Sequence, residues 1–448
     1  MRRKIYKKLL DWKNKSNGHT AVLIEGARRI GKSYIVEKFA KNEYKSYIIV
    51  DFNDMAEDLQ DIFDHYLNKR DDFFMRLSLY YGVKLYERNS VIVFDEIQQY
   101  PKARAAIKYL VKDHRYDYIE TGSLISIKRN VKDIVIPSEE EHLEMFPMDL
   151  EEFLWALGDD MFMDFIRDCY AKKTSLGSLH RKGMDYLRQY MVIGGMPQAV
   201  SEYVATKDFD SVDRVKRNII RLYREDISKY AFEAETKVTR IFDEIPSQLQ
   251  KHEKKFRLSA LGSNVKMRDY EDAFFWLDDA KIINVCYNST EPNIGLRLNT
   301  DRTTMKCYFC DTGLLISTAF DTETIQREQL YKKLILDKLE FNKGMLVENI
   351  VAQMFKANGH SLFFFTSSDK VAENRIEIDF LLSKKLLTNR HNIIPVEVKS
   401  TTRYTHVSLD KFSKKYPEYL DTPILFHTGD LKVENGILYL PLYMAAVV

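Results

Sequence analysis

The chain has 448 residues, enough for about three domains. Its 68 Lys+Arg against 66 Asp+Glu leave a formal net charge of +2, which excludes a wholesale polycation and confines any nucleic-acid contact to a local patch. Hydrophobic residues at 45% and aromatics at 12% exclude intrinsic disorder, and 17 Gly with 10 Pro exclude collagen-like and low-complexity chains.

The N-terminal Met1-Arg-Arg-Lys-Ile-Tyr-Lys-Lys-Leu-Leu10 is basic and lacks the apolar core of a signal peptide. No run reaches the ~18 apolar residues of a membrane span, and the four cysteines are too few for a disulfide framework. These features predict a cytoplasmic protein without a membrane partner. Cys307-x-x-Cys310 has no second pair to complete a zinc site, and the alternating Met305–Asp311 reads as a strand carrying ordinary thiols.

In chain order, Ala21–Glu25, Ser46–Asp51, Ser90–Asp95 and Tyr116–Glu120 read as strands separated by helical segments, the pattern of a parallel sheet covered on both faces. The first turn is Gly26-Ala-Arg-Arg-Ile-Gly-Lys-Ser33, a match to G-x-x-x-x-G-K-[ST] at every fixed position, between a predicted strand and a predicted helix. Its glycines let the backbone wrap a phosphate, and the helix N-terminus adds positive potential. The nucleotide cradle is thus assigned to Gly26, Ala27, Arg28, Arg29, Ile30, Gly31, Lys32, Ser33 and Tyr34. Lys32 reaches the β- and γ-phosphates, and the Ser33 hydroxyl ligates Mg²⁺.

The apolar strand Val91–Phe94 ends in Asp95-Glu96, the Walker B pattern. Asp95 is assigned to Mg²⁺ and Glu96 to the attacking water, which marks a hydrolase. Thr121 and Ser123 end the next strand, where one reading is a γ-phosphate sensor and the other a turn cap. ATP and Mg²⁺ are the expected cofactors. Phe146–Leu154 is expected to close this first unit.

Helical periodicity dominates from about Met161 to Asn288. Ser259–Gly262, a helix over Met267–Ala280 and the apolar Lys281–Tyr287 make a winged-helix pattern, with a helical bundle carrying one hairpin as the plain alternative. Arg214, Arg217, Arg221 and Arg224 fall on one helical face, read either as solvated, as reaching ATP, or as lying on nucleic-acid phosphates. Lys266, Arg268 and the Lys251–Lys255 segment are further candidate phosphate contacts.

The third block, from near Asp337, orders its elements helix, strand, strand, strand, helix, strand, strand. Glu377-x-Asp379 and Glu397-x-Lys399 lie in neighbouring strands, the two carboxylates 18 positions apart, with Glu348 on the preceding helix. Period two puts Glu397 and Lys399 on one strand face. This is the arrangement of PD-(D/E)xK nucleases, and the resemblance implies Asp379 and Glu397 as Mg²⁺ ligands, Lys399 on a water molecule and Glu348 in support of the metal.

The motifs Glu25–Ser33, Phe94–Gln98, Thr121–Leu124, Met145–Leu154 and Gly194-Gly-Met-Pro197 make the chain resemble the archaeal and bacterial P-loop ATPases of the AAA+-related superfamily that carry a C-terminal domain. The C-terminal block resembles PD-(D/E)xK nucleases. The resemblance implies an ASCE-type ATPase core, a winged-helix region and a nuclease-like fold. The expected class is α/β: a parallel-sheet P-loop ATPase domain at 1–158, a helical and winged-helix region at 159–335, and a restriction-endonuclease-like α/β domain at 336–448. The expected function is ATP hydrolysis coupled to DNA binding or processing. The alternative is a nucleotide-dependent switch or scaffold with an inactive nuclease-like domain, acting through a protein partner or self-association.

Overall fold

In the computed structural model, which describes residues 1–123, 138–251, 254–263, 265–320, 327–335, 343–367, 375–401 and 403–448, the apolar run Ala21–Glu25 forms a buried strand. The expectations for Leu124, for His252 and Glu253, and for the start of the third block at Asp337 lie outside the described residues. The chain divides into two compact units, Met1–Phe146 and Pro147–Val448.

The first unit runs α1 (Ile5–Ser16), β1 (Ala21–Glu25), α2 (Lys32–Glu43), β2 (Ser46–Asp51), α3 (Glu57–Tyr66), α4 (Arg70–Tyr81), β3 (Ser90–Asp95), α5 (Pro101–Asp113), β4 (Asp117–Gly122) and β5 (Glu140–Glu144). The five described strands are all parallel, in the order β2-β3-β4-β1-β5. The four apolar strands are those their sequence predicts. The fifth, Glu-Glu-His-Leu-Glu, carries no apolar pattern because it is an edge strand, where charged side chains are tolerated and discourage pairing with another chain. One sheet face packs on an aromatic core that includes Phe52, Phe63, Phe73, Phe94 and Tyr118.

The second unit opens with helices α6 (Leu150–Leu157), α7 (Phe162–Lys172), α8 (His180–Ile193), α9 (Pro197–Thr206), α10 (Phe209–Tyr230), α11 (Glu235–Gln250) and α12 (Glu271–Asp279). Then come β6 (Ile283–Ser289), β7 (Thr300–Phe309), α13 (Thr312–Ala319), α14 (Arg327–Ile335) and α15 (Gly344–Ala357). The remainder is β8 (Phe363–Ser367), β9 (Ile376–Ser383), β10 (Ile393–Val398), α16 (Val407–Lys415), β11 (Ile424–His427), β12 (Lys432–Glu434) and β13 (Ile437–Pro441). Among the described residues its eight strands form one mixed sheet, β12-β13-β11-β10-β9-β8-β6-β7.

Two boundaries differ from the sequence reading. The first unit closes at 146, not 158, because α6 belongs to the second. Asp149 caps α6 in a reciprocal box with Glu152, and the buried Phe153 ring lies 5.3 Å from that of Tyr190. The second difference is that residues 159–335 form no separate unit. The β6–β7 hairpin joins the C-terminal sheet through parallel pairing of Tyr287 with Phe363 and Asn288 with Phe364. An almost wholly buried β6 needs a partner on each edge, so the strand expected within a winged-helix pattern at Lys281–Tyr287 lies inside the large sheet instead. The helix expected over Met267–Ala280 starts only at Glu271, after a single 3₁₀ turn, and Leu258–Ala260 is likewise one turn.

The Gly194-Gly-Met-Pro segment ends α8 and starts α9. Gly195 donates its N–H to the buried Asp311 carboxylate, which also accepts from Leu314 at 3.0 Å and so caps α13. A Cβ at Gly195 would stand 2.1 Å from the Met148 carbonyl oxygen. Only glycine admits that approach.

Candidate functional site

In an open parallel sheet, ligand groups gather beyond the carboxyl ends of the strands. Here β1 runs into the Gly26–Gly31 loop, β3 ends at Asp95 and β4 carries Thr121, all at that edge. Gly31 (φ 90°) and Arg29 (φ 69°) take left-handed backbone, and a Cβ at Gly26 (φ 157°) would meet the Met145 carbonyl oxygen at 2.3 Å. The loop is thus a cradle of backbone groups that bulkier residues would fill, opening onto the first turn of α2. Lys32 Nζ donates to the Gly26 and Ala27 carbonyls, each at 3.0 Å. Its ammonium is therefore held within the loop.

Ser33 Oγ donates to Asp95 Oδ1 at 3.0 Å, and Thr121 Oγ1 donates to the same oxygen. Burial raises the Asp95 carboxyl above its ordinary range, and the two hydroxyls pull it back. Glu96 sits in left-handed backbone (φ 54°), a conformation that costs a non-glycine residue on the order of 1 kcal/mol or more. Its N–H donates to Thr121 Oγ1 at 3.2 Å, and its Oε2 accepts from Ser123 Oγ at 3.1 Å and from Gln98. Ser33, Asp95, Glu96 and Thr121 thus come together, and Ser123 gains a place among them by orienting Glu96. Tyr34 is exposed on the first turn of α2.

Two contributors escaped the sequence reading. Buried Arg3 donates from Nη1 to the Ile30 carbonyl of the loop and from Nη2 to the Phe146 carbonyl, each at 2.7 Å. Nothing in Met1-Arg-Arg-Lys4 marks which basic residue turns inward. His142 on β5 lies 2.9 Å from Glu140 and 3.2 Å from Glu25, the residue before Gly26. The Glu140 and then the Glu25 carboxylate raise the imidazole to about 9. A histidine raised on folding stabilises fully below its unfolded value near 6.5, and that contribution is lost as pH rises through about 9. Melts of the full chain between pH 6 and 10 should show this decline, modest because His142 is half exposed, and His142→Gln should flatten it. Superimposable pH curves for the two proteins would dismiss the assignment.

In the second unit, Glu348 (α15), Asp379 (β9), Glu397 (β10) and Lys399 fall together with Glu377. Lysines stand among them. Lys306 of β7, 1% exposed, places Nζ 3.0 Å from Glu348 Oε1, 3.4 Å from Asp379 Oδ1 and 3.4 Å from Glu377 Oε1. Lys254 pairs with Glu348 Oε2, and Tyr308 donates to Glu348 Oε1. Burial alone would raise the Glu348 carboxyl, but the Lys254 and Lys306 ammoniums outweigh it and hold the group at about 2. Asp379 Oδ2 accepts from the Val398 N–H at 2.9 Å, and Lys399 Nζ lies 3.1 Å from Glu397 Oε2. Burial pushes the Glu397 carboxyl up to about 7, against the pull of Lys399.

Of the three residues assigned to a metal, Glu348 and Asp379 meet the Lys306 ammonium here, and Glu397 pairs with Lys399. Among the described residues no group of three or more His, Cys, Asp or Glu side chains is placed to hold a metal. Lys254, a candidate phosphate contact in the sequence, points into the cluster instead. The α10 arginines are also partly committed: Arg217 to Asp213 at 2.7 Å and the Phe320 carbonyl at 3.1 Å, Arg224 to Asp243 at 2.6 Å. Arg214 and Arg221 lie on the exposed side of α10.

Residues 18–154 match the AAA domain family, residues 184–324 a domain of unknown function (DUF8612), and residues 343–444 a second domain of unknown function (DUF4143). No curated protein matches the chain. Similar solved structures include the Walker-type ATPase PABY2304 of Pyrococcus abyssi, at 12% identity and TM-score 0.40 over 71% of this chain and 96% of that one. The RuvB Holliday junction branch migration motor of Thermotoga maritima is similar at 14% identity and TM-score 0.29, over 63% and 89%. Cdc6p of Pyrobaculum aerophilum is similar at 11% and 0.27, over 75% and 94%. No described helix is long and apolar enough to cross a membrane. With its phosphate-loop cradle, its Asp95-Glu96 strand end and the family match over 18–154, the first unit has an AAA-type P-loop ATPase fold.

Proposed function

We propose that this chain binds ATP with Mg²⁺, hydrolyses it, and uses the turnover to change the state of the Pro147–Val448 unit. The observation that carries the reading is the convergence of the Ser33 and Thr121 hydroxyls on one Asp95 carboxylate oxygen beside a Glu96 held by Ser123 and Gln98. Lys32 holds the β- and γ-phosphates, the loop N–H groups cradle them, and Ser33 and Asp95 hold the metal. When bound, Mg²⁺ neutralises phosphate charge. Thr121 fixes the Asp95 carboxylate, and Glu96 orients the attacking water and takes its proton.

Two roles for the second unit follow. Coupling to DNA binding or processing is supported by the gathering of Asp379, Glu397 and Lys399 on adjacent strands. A nucleotide-dependent switch or scaffold is supported by the lysines that satisfy those carboxylates from within, and it is the reading we adopt. Phosphate release by the full chain, with Mg²⁺ and with or without DNA, tests the whole. We expect turnover in the native protein and none in Lys32→Ala. Equal release by both would overturn the ATPase reading, and strong stimulation by DNA would return the second unit to DNA work.

A further inference from the structure

The carboxylates of the second unit are arranged around a nitrogen. Lys306 rises from a strand flanked by Met305 and Cys307, its side chain 1% exposed, and its Nζ meets one oxygen each of Glu348, Asp379 and Glu377. The buried Phe364 ring lies 5.1 Å from the same nitrogen, so the ammonium also faces a π-surface. Nζ–O separations of 3.0 to 3.4 Å are those of an ammonium ion pair. A Mg²⁺ ion holds its oxygens at about 2.0–2.1 Å, so the carboxylates stand roughly 1 Å too far from the centre for the metal. Two of these carboxylates have both oxygens engaged: Glu348 by Lys306, Tyr308 and Lys254, and Asp379 by Lys306 and the Val398 N–H.

We infer that Lys306 Nζ takes the place a divalent cation would occupy among Glu348, Asp379 and Glu377, so that this unit is held by an internal cation and carries no metal. A metal and the ammonium exclude each other there, because both need the same three oxygens and like charges at that spacing repel strongly in a buried site. The inference is independent of the ATPase reading, since it concerns only the second unit.

The test uses the nucleotide-free full chain, titrated with Mn²⁺ by calorimetry and followed by electron paramagnetic resonance. The native protein should show no Mn²⁺ binding that Asp379→Asn removes, and its unfolding temperature should be the same in Mg²⁺ and in chelator. Lys306→Met keeps the length of the side chain and removes the charge. It should acquire one Mn²⁺ site that is weakened at least tenfold by adding Asp379→Asn, and Mn²⁺ should raise its unfolding temperature. If Lys306→Met does not fold, Lys306→Met with Glu348→Gln should fold, because the two losses offset each other's charge. Metal binding or metal-dependent nicking of supercoiled DNA by the native chain, abolished by Asp379→Asn, would overturn the inference. So would a folded Lys306→Met without Mn²⁺ binding, or failure of the double variant where Glu348→Gln alone folds.

Discussion

Glu96→Gln is expected to hold ATP within about threefold of the native affinity while turnover falls by roughly 10²- to 10⁴-fold, the range for loss of a general base. The asymmetry follows from position. Lys32, Ser33 and the loop backbone meet phosphate and metal in both ground and transition states, whereas Glu96 acts on water alone. The amide keeps the size of the side chain and still meets Ser123 and Gln98, so the left-handed turn at Glu96 and the Asp95 carboxylate should stay in place. Equilibrium nucleotide binding and single-turnover phosphate release separate the two effects. Native-rate hydrolysis by Glu96→Gln would remove the residue from the mechanism; lost binding would make its role structural.

Gly195→Ala is expected to destabilise the second unit by about 3 kcal/mol or more, because the added methyl meets the Met148 carbonyl at 2.1 Å and backbone cannot step aside cheaply. Relief would pull the Gly195 N–H from Asp311 Oδ2, leaving that fully buried oxygen only the Gln353 Nε2 donor at 3.4 Å. Chemical denaturation of native and variant chains, followed by tryptophan fluorescence, measures the loss. An unchanged midpoint would show that the segment yields, contrary to the packing described.

Local patterns carried most of what was legible in the amino-acid order. The phosphate loop was readable because its glycines, Lys32 and Ser33 must sit at fixed spacing within eight residues. The Asp95-Glu96 strand end was readable because four apolar residues precede it. β5 was not, since its acidic sequence answers to an edge position that only the assembled sheet defines. Arg3 was not, because its partners are carbonyls 27 and 143 residues away. Glu348, Asp379, Glu397 and Lys399 lie in one cluster, but nothing in their own spacing marks the lysine that stands among the carboxylates. Its signal was present all the same: one lysine in the otherwise apolar strand end Met305–Phe309 must find anions or forfeit its burial.

The pairing of β6 with β8 has a consequence for how the chain is made. As it leaves the ribosome, residues 1–146 complete a sheet of their own, but β6 and β7 emerge long before β8, and their edge waits for it. A sheet closed by segments so distant in sequence is slow to form, and during the wait β6 offers an unpaired apolar margin to any neighbouring chain. Cutting the chain at 343, where the second family match begins, would expose the opposite margin, that of β8, in the excised fragment. The compact unit that contains the carboxylate cluster begins at Pro147, and recombinant fragments that start after β6 are expected to aggregate rather than fold.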